Sequence, residues 1–120
     1  MSASTGTGTD TGTQTVAVVL GPVTDIPVGE GRVYVVNGEQ IAVFRLRSGT
    51  VRAISAVCPH KGGPLADGQA DEAVVICPLH GHVFELATGA CRTGQPPVTS
   101  YAASVDDAGN VLLDVSVPAG

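Results

Sequence analysis

From Val16 onward, short runs of β-branched and other apolar residues alternate with turn-forming residues. Runs of roughly four to eight such residues, bounded by Gly, Asn, Asp or Ser, are typical of β-strands. No segment keeps a sustained helical period of apolar positions, so the pattern predicts an all-β fold. The predicted strands cover residues 16–20, 32–36, 40–46, 51–54, 73–76, 83–85, 101–105 and 111–115.

Turn signals lie between several of these strands. Asn37-Gly38 and Ser48-Gly49 stand where tight hairpin turns would be, and residues 106–110 contain a further turn ending in Gly109-Asn110. Glycine supplies the positive φ that such turns require and that β-branched residues resist. We therefore expect neighbouring strands to pair as antiparallel hairpins.

The first fifteen residues differ in composition from the rest of the chain. They form a Ser/Thr/Gly tract in which Asp10 is the only charge, and no apolar residue follows Ala3. A segment with so little apolar surface has nothing to bury. We expect a disordered tail at 1–15 and a single folded domain at 16–117.

Composition and charge exclude several classes of partner. The chain has 120 residues, a net charge of −5 and three cysteines. Nucleic acids and anionic membrane surfaces attract basic patches, which this acidic chain does not offer. No apolar run approaches the roughly 18 residues that span a bilayer, and no secretory signal is evident. An odd cysteine count fits a reducing compartment, so we expect a soluble cytoplasmic protein.

Two short motifs carry the candidate chemistry. Cys58-x-His60 and Cys77-x-x-His80 are separated by sixteen residues, and each contributes one thiol and one imidazole. A [2Fe-2S] cluster held by two Cys and two His has inequivalent irons, and the His-bound iron accepts an electron more readily. These four residues are therefore the candidate metal ligands of a one-electron carrier.

A zinc site is the alternative interpretation of the same four residues. Two Cys and two His also suit tetrahedral zinc, but zinc modules usually draw two ligands of one kind from each loop. Here each loop supplies one Cys and one His. The mixed pairs favour iron and sulfide, while a zinc-stabilised interaction module without a redox role stays open.

The residues around these motifs resemble the two cluster-binding loops of the Rieske [2Fe-2S] domain family. The matching segments are Cys58-Pro59-His60-Lys61-Gly62-Gly63-Pro64-Leu65 and Cys77-Pro78-Leu79-His80-Gly81. The resemblance implies an antiparallel β-sandwich or barrel base that carries a cluster lobe of two loops at about 56–92. It also implies that Cys58 and Cys77 bind the inner iron and that His60 and His80 bind the outer iron.

Departures from the respiratory branch of that family bear on the potential. Those proteins have an extra cysteine in each loop, joined by a disulfide, where this chain has Gly62 or Gly63 and Leu79. They also place a serine and a tyrosine after the second loop, where this chain has His82 and Phe84. Because hydrogen bonds to sulfur stabilise the reduced cluster, their loss predicts a low potential, on the order of −150 to 0 mV.

Within the family, the segments 41–45 and 58–65 are most similar to the small subunit of assimilatory NAD(P)H-dependent nitrite reductase. That resemblance implies a large partner subunit that carries flavin and siroheme and reduces nitrite to ammonium. The chain itself would be non-catalytic. The alternative is a free Rieske ferredoxin that passes electrons from a flavin reductase to a ring-hydroxylating oxygenase.

Two residues near the motifs stay without an assigned role. His82 is two positions beyond His80, and we expect a surface residue or a partner contact. Cys91 lies outside both motifs and is most simply a small buried residue.

Overall fold

The computed structural model describes residues 13–57, 64–79 and 81–118, with side chains for 14–57, 64–79 and 81–115. Within these residues the chain forms ten strands and two short 3₁₀ helices. The strands are β1 (Thr13–Pro22), β2 (Gly31–Val36), β3 (Glu39–Arg45), β4 (Val51–Ser55), β5 (Gln69–Ala70), β6 (Val74–Ile76), β7 (Val83–Glu85), β8 (Ser100–Tyr101), β9 (Ala103–Val105) and β10 (Asn110–Pro118). The 3₁₀ helices are Val23–Asp25 and Leu65–Asp67.

The strands form three antiparallel sheets. The first base sheet has the order β9-β10-β1, the second base sheet β2-β3-β4-β8, and the lobe sheet β5-β6-β7. This arrangement confirms the predicted all-β antiparallel fold with a base and a separate lobe. Among the described residues, no helix has the length and apolar character needed to cross a membrane.

The predicted turns are confirmed by the backbone. Asn37 and Gly38 have φ values of 52° and 79°, and they join β2 to β3 where Val36 pairs with Glu39. Two successive positive φ values are characteristic of the type I′ hairpin turn. At the later turn the Asp106 carboxylate accepts the backbone N–H of Asn110 at 2.9 Å. These local hydrogen bonds explain why the turn residues alone predicted the hairpins.

Several strands differ from their predicted limits, and β5 (Gln69–Ala70) was not predicted; β1 and the segment 101–105 show the reasons most clearly. β1 begins at Thr13 because its backbone pairs with the end of β10, where Thr13 lies opposite Pro118. A ladder of backbone hydrogen bonds needs no apolar side chains, so composition did not reveal this extension. The predicted strand 101–105 is interrupted at Ala102, because Tyr101 pairs with Ala53 in the second base sheet and Ala103 with Leu113 in the first. The remainder of the predicted tail, residues 1–12, lies outside the described residues.

Two hydrophobic cores lie on opposite sides of the second base sheet. The base core fills the space between the two base sheets and contains Ile26, Ile41, Val43, Val51, Ala53, Val111, Leu113 and Val115. The lobe core lies on the other side and contains Ala42, Phe44, Leu46, Ile54, Ala56, Leu65, Ala66, Val75, Cys77, Phe84, Leu86 and Val98.

Strand β3 contributes to both cores. Ile41 and Val43 point into the base core, whereas Ala42 and Phe44 point into the lobe core. Successive side chains of a strand face opposite sides, so a strand between two cores has an uninterrupted apolar run. β3 therefore packs against the lobe core on one face and against the base core on the other.

Candidate metal centre

The stem of the first loop is held at both ends. Val57 and Pro64 form an isolated antiparallel bridge, and the N–H of Leu65 donates to the carbonyl of Ala56 at 2.9 Å. Residues 58–63 connect these two neighbouring positions. The predicted ligands Cys58 and His60 fall in that segment and lie outside the described residues.

The second loop begins where β6 ends. The N–H of Cys77 donates to the carbonyl of His82 at 2.8 Å, and the N–H of Gly81 donates to the carbonyl of Cys77 at 2.9 Å. Gly81 has a φ of +77°, which L side chains rarely adopt. These bonds close a tight turn that carries Cys77. The fourth predicted ligand, His80, lies outside the described residues.

Both loops start from residues of the lobe core. Ala56 and Leu65 flank the first loop, and both belong to the same buried cluster as Cys77, whose side chain is 1 % exposed. In the lobe sheet, Val75 of β6 lies opposite Phe84 of β7, and both side chains are fully buried in this core. Ala56 and Leu65, which flank the first loop, therefore lie in the same core as Cys77, the first predicted ligand of the second loop.

A close backbone contact supports the strand that leads to Cys77. A methyl group on Gly68 would overlap the carbonyl oxygen of Ile76, although the φ of Gly68 is ordinary at −74°. Glycine is required here because of space and not because of backbone conformation. The chain before Cys77 is thus held between Gly68 on one side and β7 on the other.

Apolar side chains are exposed around the ends of the loops. Val57 is 43 % exposed, Leu79 48 % and Ile76 41 %. Leu65 is fully buried below them. Next to the two loops, the described residues thus include a buried leucine and three exposed apolar side chains.

Acidic residues lie on the side of the lobe. The Asp71 carboxylate accepts the N–H groups of Ala73 and Val74 at 2.8 Å each, and these hydrogen bonds lower its pKa. The Glu72 carboxylate accepts the N–H of Ser48 at 3.4 Å and so connects the lobe to the hairpin between β3 and β4. These carboxylates stay ionised at neutral pH and give this side of the lobe a negative charge.

Arg92 lies on the outer surface of the lobe. Its guanidinium forms an ion pair with Glu85 at 3.2 Å, and the two side chains are 54 % and 34 % exposed. Exposed pairs of this kind contribute little to stability because water screens them. Lys61, the other cation noted near the motifs, lies outside the described residues.

His82 and Cys91 are joined through a residue that the sequence analysis did not identify. The hydroxyl oxygen of Thr93 lies 2.9 Å from Nδ1 of His82 and 3.2 Å from Sγ of Cys91. Both His82 and Cys91 are half-buried. His82 is therefore partly exposed, as predicted for a surface residue, but its ring also has a hydrogen-bond partner within the chain. Thr93 is eleven residues from His82, and no local pattern links them.

Hydrogen bonds stabilise the thiolate form of Cys91. Burial raises the pKa of this thiol, but hydrogen bonds from the Thr93 hydroxyl and from the N–H groups of residues 93–95 outweigh that effect and lower it. The donors come from a single turn that follows Cys91. These hydrogen bonds account for the lowered pKa of Cys91, which lies outside the predicted ligand set.

The donor set fits a [2Fe-2S] cluster. Of the four predicted ligands the structure describes Cys77 alone, and the described residues contain no group of three or more His, Cys, Asp or Glu placed to hold a metal. Cys77 itself lies in an apolar core beside the turn glycine, where a thiolate requires a cation to compensate its charge. Two thiolates and two imidazoles provide the ligands that a cluster with a His-bound iron requires.

Comparison with proteins of known sequence identifies the domain. The Rieske [2Fe-2S] domain profile matches residues 16–106. The chain is 34 % identical over 97 residues to the 3-phenylpropionate/cinnamic acid dioxygenase ferredoxin subunit of Escherichia coli K12, covering 78 % of this chain and 89 % of that one. It is also 27 % identical over 100 residues to a cytochrome b6-f complex iron-sulfur subunit from Chlorobaculum tepidum, covering 82 % of this chain but only 54 % of that protein. The chain thus spans about half the length of that relative.

Solved structures share the fold. A candidate NADH-dependent nitrite reductase small subunit from Mycobacterium tuberculosis superimposes with a TM-score of 0.79 and 27 % identity, covering 85 % of this chain and 96 % of that one. The ferredoxin of carbazole 1,9a-dioxygenase from Nocardioides aromaticivorans superimposes with a TM-score of 0.73 and 29 % identity, covering 81 % and 95 %. The profile match, the cluster motifs and the fold agree: the chain belongs to the Rieske [2Fe-2S] domain family, whose electron-carrier domain holds a [2Fe-2S] cluster.

Proposed function

We propose that the chain is a one-electron carrier in which Cys58, His60, Cys77 and His80 hold the cluster. The buried position of Cys77 supports this ligand set, together with Ala56 and Leu65, which flank the first loop and lie in the same core. When bound, the cluster supplies a site that takes up and releases one electron. The protein residues hold it, exclude water from its inner side through the lobe core and present its outer side to a partner.

The proposed partner is the large flavin- and siroheme-containing subunit of a nitrite reductase. The observation that carries this proposal is the superposition on the candidate nitrite reductase small subunit, which covers 96 % of that chain. A domain of this size has room for one cofactor, so in this proposal the reduction of nitrite to ammonium takes place on the large subunit. The same proposal places the protein in the cytoplasm. The folded domain is the predicted 16–117 extended by the strand residues 13–15 and by Pro118.

Affinity capture tests this partner directly. The tagged protein is isolated from its native cells grown on nitrate, and the absorption spectrum of the co-purifying material is recorded. A large protein with siroheme bands supports the nitrite reductase proposal. Recovery of the brown, cluster-loaded protein without such a partner contradicts the nitrite reductase proposal.

A second candidate function is a free ferredoxin that supplies a ring-hydroxylating oxygenase. The 34 % identity to a dioxygenase ferredoxin subunit favours it. The residues around the cluster serve both functions, because each requires an exposed outer side and a low potential. Stimulation of an oxygenase and its flavin reductase by the isolated chain would support this candidate over the first.

The zinc alternative is tested by metal analysis. Membership in the Rieske family supports iron, and one cluster per chain requires equal amounts of iron and acid-labile sulfide. Stoichiometric zinc without sulfide in protein purified under anaerobic conditions would overturn the electron-carrier proposal.

A further inference from the structure

Thr93 lies at the centre of a hydrogen-bonded group beside the second ligand loop. Its hydroxyl oxygen contacts Nδ1 of His82 at 2.9 Å and Sγ of Cys91 at 3.2 Å, and it accepts the backbone N–H of Val83 at 3.3 Å. We propose that Thr93 is a positioning residue that fixes the C-terminal end of the second ligand loop through His82 and Val83. The proposal rests on the proposed function, because it takes Cys77 and His80 as cluster ligands.

The position of Thr93 in the lobe explains why a side chain is needed there. After β7 the chain returns beside this strand, so that Phe84 pairs with Cys91 and the N–H of Arg92 donates to the carbonyl of Val83 at 2.8 Å. At the end of this pairing the N–H of Val83 meets the Thr93 hydroxyl in place of a backbone carbonyl. The hydroxyl thus completes the ladder at the residue where the second loop joins β7.

His82 is held from two directions. Its carbonyl accepts the N–H of Cys77, which closes the turn that carries the ligands, and its ring contacts the Thr93 hydroxyl. Movement of Thr93 would therefore reach Cys77 through a single residue. Sequence distance is no obstacle, because the return of the chain beside β7 brings Thr93 to His82.

A single hydroxyl can satisfy all three contacts. A threonine hydroxyl donates one hydrogen bond and has two acceptor positions. One acceptor position takes the Val83 N–H. The proton of the hydroxyl then goes either to Nδ1 of His82, with the Cys91 thiol donating to the oxygen, or to the Cys91 sulfur, with Nδ1–H of His82 donating. Each arrangement leaves every one of these polar groups with a partner.

The pKa of Cys91 provides an independent measure of the same hydroxyl. The hydrogen bond from Thr93 is among those that lower this pKa. In the loaded protein the proposed ligand cysteines are bound to iron, so the pH dependence of alkylation reports Cys91. Alkylation of Cys91 thus detects loss of the Thr93 hydroxyl whether or not that loss affects the cluster.

The test uses the cluster-loaded protein and four variants. Thr93→Val removes the hydroxyl and keeps the shape, Thr93→Ser keeps the hydroxyl, and Thr93→Ala removes it without the branched methyl groups, in case valine disturbs folding. Thr99→Val is the matched control, since Thr99 is exposed and its side chain has no hydrogen bond to the described residues. The rate of cluster loss to an iron chelator is followed by absorbance, and alkylation of Cys91 by iodoacetamide is followed against pH.

We expect cluster loss to be about fivefold faster in Thr93→Val and Thr93→Ala, which corresponds to the loss of one hydrogen bond. Thr93→Ser and Thr99→Val should lose the cluster at the wild-type rate. The alkylation profile should move to higher pH only in the two variants that lack the hydroxyl. A shifted alkylation profile with unchanged cluster loss would overturn the positioning role, and an unchanged profile would overturn the hydrogen-bonded group itself. Wild-type protein that assembles no cluster at all would instead overturn the proposed function.

Discussion

The backbone N–H of Cys77 donates a hydrogen bond to the carbonyl oxygen of His82, and this bond closes the turn that carries the second pair of predicted ligands. Cys77 is at the same time almost completely buried in the lobe core. A residue held by its backbone and by its packing has few accessible conformations. If Cys77 binds the cluster as proposed, a side chain fixed in this way offers a preorganised site for one end of it.

Replacement of Cys77 should abolish cluster binding. Cys77→Ser and Cys77→Ala remove the thiolate, so we expect protein without brown colour and with iron and sulfide near background. Cys91→Ser is the matched control and should retain the full cluster content, because Cys91 bonds to Thr93 and is not in the predicted ligand set. Iron and sulfide analysis of the three purified variants decides the matter, and a Cys77→Ala protein with normal cluster content would refute the assignment.

Substitution of Gly68 by alanine should weaken the lobe. The added methyl group would overlap the carbonyl of Ile76, and we expect a loss of about 1–3 kcal/mol in unfolding free energy together with faster cluster loss. Gly49→Ala serves as the control, because Gly49 has a φ of +93° but open space around it. It should cost about 1 kcal/mol and leave the rate of cluster loss unchanged. Equal rates of cluster loss in the two variants would show that the Gly68 contact does not support the site.

Phe44 should be among the most sensitive positions for stability. It is fully buried in the lobe core, and its ring lies over Gly31, where a methyl group would come within 2.7 Å of it. Phe44→Ala should cost about 3–5 kcal/mol in unfolding free energy. Val35→Ala, at a strand position that is 70 % exposed, should change it by less than about 0.5 kcal/mol. Denaturant unfolding of both variants measures the difference, and a small loss for Phe44→Ala would argue against β3 as the support of the lobe.

Tyr101 gives the base a dependence on alkaline pH. Burial, together with the hydrogen bond from its hydroxyl to the Glu39 carboxylate at 2.8 Å, raises the pKa of Tyr101 to about 12. The pKa of an unfolded tyrosine is about 10. The unfolded chain therefore loses the proton first as pH rises, and this residue's contribution to stability, complete below pH about 10, declines as pH rises toward about 12.

Denaturant unfolding between pH 9 and 12 measures this decline. In Tyr101→Phe the contribution of this residue should disappear, and in Glu39→Gln the pKa of Tyr101 should fall, as followed by phenolate absorbance in a Tyr34→Phe background. A Tyr101 pKa unaffected by Glu39→Gln would contradict the role of the hydrogen bond.

The midpoint potential should lie in the lower part of the Rieske range, on the order of −150 to 0 mV. The position that carries a tyrosine in high-potential members is Phe84, which is buried opposite Val75 and has no hydroxyl to donate. Without such a donor, the reduced cluster lacks a stabilising hydrogen bond. A redox titration followed by absorbance gives the value, and a midpoint far above this window would mean that other groups donate to the sulfur atoms.

Much of the fold could be predicted because its signals are local. The β-branched run that forms β2 and the Asn37-Gly38 turn act within a few residues, and both were predicted correctly. The four predicted metal ligands, two Cys and two His, were likewise evident from their spacing. Of these the structure locates Cys77, while Cys58, His60 and His80 lie outside the described part, and the ligand role of all four stays a prediction.

Other features depend on segments that are distant in sequence. The run 41–44 predicted a strand but not that it lies between two cores, because burial on both faces requires a sheet on one side and the lobe on the other. The break at Ala102 arises because neighbouring residues find partners in different sheets. No local preference encodes that exchange.

The sequence by itself determined where strands and turns form and which side chains can bind metal, because dihedral preference, alternation and ligand chemistry are properties of short segments. Only the tertiary structure decided that the two loops arise from one buried core and that Thr93 meets His82. Those relationships follow from the return of the chain beside β7 and from packing against β3, and such contacts exist only once distant segments have paired.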